Sequence, residues 1–168
     1  MIRTLSLSAL LILTLAVPSF AQPSPIHLAI DYPTLTPYQN TVVNYGELML
    51  AGWTMNCYTG QQAATLTVTD TVQDASGQYV TTEVKDALIV WRLARPDVLT
   101  VAPWICHAGL IPEVRLPSSP YLGFHIYFPQ PLARGVHHLS VRALDTVMMP
   151  TTDPALGTKY WRANLEIR

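Results

Sequence analysis

The stretch that decides the reading is Gly135 to Asp145, GVHHLSVRALD. Two adjacent histidines and an aspartate invite a metal or catalytic site. The phase of an extended chain argues otherwise. Successive side chains of a strand point to opposite faces, so His137, Leu139, Val141 and Ala143 share one side. His138, Ser140, Arg142 and Leu144 share the other. Two histidines on opposite faces cannot chelate one ion from a regular strand. The stretch reads as a core strand that happens to carry histidine, entered through the turn at Arg134-Gly135.

The same alternation runs outward in both directions. Ile26, Leu28 and Ile30 alternate with His27, Ala29 and Asp31, and Leu48 and Leu50 precede Gly52-Trp53. Ala64, Leu66 and Val68 alternate with threonines. Phe124, Ile126 and Phe128 alternate with His125 and Tyr127, and Trp161, Ala163, Leu165 and Ile167 with polar residues. Residues 87–93 form a further run. Each places one face in a core and the other toward solvent. Asp74-Ala75-Ser76-Gly77-Gln78 predicts a hairpin between runs 64–72 and 78–84. The 14 prolines fall mostly at the ends of runs, where a missing N–H costs least. Five of them between residues 96 and 120 predict a long irregular connection, with one helical turn at Asp97 to Val101. Seven or eight strands in one domain predict an all-β antiparallel sandwich with a long proline-rich connection.

The N-terminus carries an address. Arg3, an apolar run from Leu5 to Val17 and Ser19-Phe20-Ala21 predict a secretory signal peptide cut after Ala21. The apolar run is short of the ~20 residues that span a bilayer. No second span follows, so residues 22–168 are expected as one secreted or periplasmic domain with no membrane span. A net charge of −1 offers nothing that attracts nucleic acid. The two cysteines, Cys57 and Cys106, are most simply a disulfide in an oxidising compartment. The alternative is one buried and one exposed thiol.

Four pieces in order, GELMLAGWTMN (46–56), LARPDVLTVAP (93–103), LGFHIYF (122–128) and LARGVHHLSVRALD (132–145), resemble bacterial immunoglobulin-like repeats of secreted and surface proteins. The resemblance implies an immunoglobulin-like, non-catalytic extracellular module. It also implies that His137 takes the corner position, satisfying a backbone group that the turn leaves unpaired. Thr54 stands where the repeats usually have alanine, and the cysteine pair is not one of their general features.

Little else points to chemistry. Arg95-Pro96-Asp97-Val98 reads as a structural motif: Asp97 can accept from free N–H groups at a helix start, and Arg95 can pair with an acid across the sandwich end or form a binding edge. Asp145, closing its strand, is either a turn-bonding aspartate or one ligand of a calcium site that needs about six oxygens. Cys106-His107 with Met148-Met149 does not have blue-copper spacing. No nucleophile elbow, zinc-protease motif or phosphate loop is present, so neither cofactor nor metal is expected. The large aromatics Trp91, Trp104, Tyr121 and Tyr127, with Arg95, are the candidate contacts for a protein or carbohydrate partner at the cell exterior. The competing expectation is a small extracellular metal-binding protein or hydrolase using His107, His125 and His138.

Overall fold

A computed structural model of the chain describes residues 25–34, 40–107, 114–145 and 157–168. The expected signal peptide, together with Met148 and Met149, lies outside them. Nine strands and one helix follow in order: β1 (Ile26–Tyr32), β2 (Thr41–Val43), β3 (Met49–Asn56), β4 (Thr65–Gln73), β5 (Tyr79–Glu83), β6 (Leu88–Leu93), α1 (Pro96–Ile105), β7 (Gly123–Tyr127), β8 (Gly135–Leu144) and β9 (Thr158–Ile167). The strands make a four-stranded sheet, β1-β3-β7-β6, and a five-stranded sheet, β2-β9-β8-β4-β5. All pairs are antiparallel except β2 with β9. Lettered in chain order, these are A-B-E-D on one sheet and A′-G-F-C-C′ on the other. That is the immunoglobulin-like sandwich.

The core follows the alternation. Leu139, Val141 and Ala143 of β8 meet Leu66 and Val68 of β4, Ala163, Leu165 and Ile167 of β9, and Ile26, Leu50, Phe124 and Ile126 from the opposite sheet. The polar residues between them face outward. Backbones approach closely where glycine allows it. A Cβ at Gly52 would lie 2.0 Å from the Ala29 carbonyl oxygen, so β1 and β3 could not keep this separation with any other residue there.

Two elements differ from the sequence expectation. Strand β2 is only three residues long, too short for alternation to register. The expected single turn at Asp97 to Val101 is a ten-residue helix. Pro96 occupies its first turn, where no N–H is needed, and Pro103 lies inside it. The helix survives Pro103 because tertiary packing outweighs propensity. Val98 and Ala102, one turn apart, bury against Met55 and Leu122 on the outer side of the four-stranded sheet. The disulfide Cys57–Cys106 joins the end of β3 to the end of α1 and completes this second cluster. The first part of the long connection is therefore a helix clamped to the end of β3.

Cross-linking residues 49 apart removes about 4 kcal/mol of loop entropy from the unfolded chain in the chain-entropy account. Replacing both cysteines by alanine should lower the unfolding free energy in urea by about that amount. The far-ultraviolet circular dichroism of the sandwich should persist, because the main core does not include the bridge.

Candidate functional site

An open groove of about 630 Å³ lies at one end of the sandwich. Three segments build it: the turn after β3 (Gly60 to Ala64), the end of β6 (Trp91 and Arg92) and the approach to β7 (Ser118, Ser119, Tyr121 and Leu122). Its key is an irregularity in β6. The pairing of β6 with β7 slips between Val90 and Leu93. Within the slip, Arg92 has φ +60°, a conformation that costs a non-glycine residue about 1 kcal/mol or more. In a regular strand Trp91 and Arg92 would point to opposite faces. Here both line one groove wall.

A single side chain holds this geometry. Gln62 Oε1 accepts from the Arg92 N–H at 3.3 Å, while its Nε2 donates to the carbonyls of Leu122 (2.9 Å) and Gly123 (2.8 Å). The amide thus ties the bulge of β6 to the start of β7. Gly123 must be glycine, because a Cβ there would stand 2.9 Å from the Leu93 carbonyl oxygen and 2.8 Å from Arg95 Cγ. Trp91 turns inward and packs near Phe124, their ring centroids 6.3 Å apart, so it is partly core and partly groove wall. Tyr121 is 56% exposed. Gln61, Ser118 and Ser119 add amide and hydroxyl groups, and among the described residues none that lines the groove is acidic.

The other singled-out residues are scattered. Trp104 is 80% exposed on α1. Tyr127 lies on the outer face of β7, its hydroxyl 3.1 Å from His125 Nδ1. Arg95 is not a free contact residue. Its guanidinium grips both Asp97 oxygens, at 2.9 and 2.6 Å, and reaches Asp31 at the end of β1. The Asp97 carboxylate is thereby committed chiefly to Arg95, with the Asp97 and Val98 N–H groups of the helix start contributing less. Hydrogen bonding by Arg95 holds it below the usual carboxylate range, despite its exposure.

The three histidines of the competing reading do not converge. His125 and His138 sit on the outer faces of different sheets. His107 follows α1, with φ +52°. His138 Nδ1 contacts Asn164 Oδ1 at 2.7 Å and its ring meets Tyr79 edge-on. Among the described residues, no three of His, Cys, Asp and Glu are grouped to hold a metal ion.

His137 is buried, and its Nε2 donates to the Ala133 carbonyl at 2.8 Å. Its Nδ1 stands 2.8 Å from Asp70 Oδ2. Asp70 continues the inward phase of Leu66 and Val68, a signal present in the sequence but masked by the rule that aspartate faces water. Its other oxygen, Oδ1, is buried without a hydrogen bond. Asp145 is buried at the far end of β8, where it accepts from Asn56 Nδ2 at 3.0 Å.

No protein-family model matches the chain, and no curated protein is similar enough to match it. The groove and its chemistry therefore stand on their own geometry.

Two predictions test these contacts. His137→Ala and Asp70→Ala should each lower the unfolding free energy by about 3 kcal/mol, since each strands a buried partner. The double variant should lose far less than the sum, as one shared interaction is removed. The second concerns His27 on β1. Burial, reinforced by the charges of Lys159 and His107, lowers its pKa from 6.5 to about 4. The folded protein then resists a proton that the unfolded chain accepts, so stability is lost as pH falls from 6.5 toward 4 and is unaffected above that range. His27→Gln should flatten the fall in urea midpoint between pH 6.5 and 4.5.

Proposed function

We propose that the protein is a secreted, immunoglobulin-like binding module of the bacterial surface-repeat type. It works without catalysis, and its ligand site is the groove between Gly60 to Ala64, Trp91 and Arg92, and Ser118 to Leu122. One observation carries this reading. Three segments bring an indole, a phenol, amides, hydroxyls and a guanidinium to one concave surface, and among the described residues that line it no pair of acid–base groups converges. Rings for apolar contact surrounded by neutral hydrogen-bonding groups suit a carbohydrate, whose faces are apolar and whose edges are hydroxyls. The disulfide is compatible with an extracellular compartment. Among the described residues no helix is long and apolar enough to cross a membrane.

The test is saturation-transfer NMR with neutral and acidic oligosaccharides. The wild type should bind at least one of them. Tyr121→Ala should weaken that binding about tenfold, a typical loss for one aromatic anchor, without lowering the melting temperature. Trp104→Ala, on α1 and outside the groove, should leave it unchanged. Equal binding by the Tyr121 variant would remove the groove from the account.

A further inference from the structure

Resting on the groove as the binding site, we propose that its ligand is an acidic glycan whose carboxylate is held by Arg92. The reason lies in how the guanidinium is placed. A regular β6 would send Arg92 away from Trp91. The slip in pairing with β7 and the left-handed backbone at Arg92 bring it to the groove instead. Gln62 commits both ends of its amide to backbone groups that fix this bulge. Left-handed backbone favours glycine, whose relief of the strain offsets the entropy it adds to the unfolded chain. An arginine kept at such a position is explained by what its side chain does rather than by its backbone.

The surroundings define the ligand's charge. Arg95 is neutralised by Asp31 and Asp97, and Arg168 by Glu166. Among the described residues Arg92 has no ion pair of this kind, and none that lines the groove is acidic. A planar guanidinium matches a carboxylate through two parallel N–H donors. Beside it, Trp91 and Tyr121 provide the ring surfaces, and Ser118, Ser119 and Gln61 provide neutral partners for hydroxyls. An anionic sugar ring satisfies all three features in one residue.

Isothermal titration can decide with tetragalacturonate and sialyllactose as probes. Their neutral counterparts are carboxyl-reduced tetragalacturonate and lactose, and a C-terminally acidic pentapeptide serves as a further arm. One acidic glycan should bind at least tenfold more tightly than its neutral counterpart. Arg92→Gln should erase that preference, and Arg92→Lys should retain part of it. Arg92→Gly should melt at or above the wild-type temperature while losing the preference equally, which separates ligand loss from misfolding. Acidic and neutral glycans bound equally, with Arg92→Gln silent, would overturn the carboxylate assignment and leave the groove reading standing. Binding of the peptide alone would overturn the glycan class. Binding of none would overturn both.

Discussion

Strand β8 can bury only one of its faces, and that constraint organises the molecule. Its inward row is His137, Leu139, Val141 and Ala143, and it lies between β4 and β9 in the five-stranded sheet. A slip of one residue would exchange this row for His138, Ser140, Arg142 and Leu144 and expose the core. His137 guards against the slip, because its ring reaches a carbonyl before the strand and a carboxylate on β4 at once. With β8 in register, β9 and β4 are fixed on either side. The four-stranded sheet then has one way to close over them.

The two ends of the sandwich use buried polar groups differently. At one, Asn56 and Asp145 satisfy each other across β3 and β8, and Thr54 Oγ1 accepts from the Ala63 N–H. These contacts fix the turn after β3. The same turn presents Gln62, which spends its amide on the β6 bulge. The groove thus inherits its shape from the core, through a rigid turn and one side chain. Strain at Arg92 persists because its surroundings determine its backbone. The helix clamped by the disulfide packs beside Met55 at the end of β3 and Leu122.

Much of this was legible in the sequence wherever alternation ran for five residues or more. Runs at 26–30, 64–72, 124–128, 135–145 and 161–167 each correspond to a strand with the expected face turned to the core, except that Ala64 precedes β4 and is exposed. What was not legible depended on contacts between segments. Strand β2 is too short for a pattern and exists by pairing with β9. Helix α1 contradicts its own prolines and is held by Met55, Leu122 and the bridge. Asp70 lies inward against its residue type because His137 waits there. Arg92 and Gln62 carry no local signal, since a bulge is a relation between two strands. Trp91 and Tyr121 were visible as candidate contacts, and Trp104, Tyr127 and Arg95 fall elsewhere on the surface. The proposed binding surface was therefore half readable, in its aromatic residues but not in its charge.

The most direct measurement of the central claim is the location of binding rather than its strength. Backbone amide resonances can be followed in 15N-labelled protein during titration with the tightest-binding oligosaccharide. The account predicts shifts confined to residues 60–64, 91–93 and 118–122, with the Trp91 indole among them. Shifts centred on Trp104, on Tyr127 and His125, or spread evenly over the surface would contradict it.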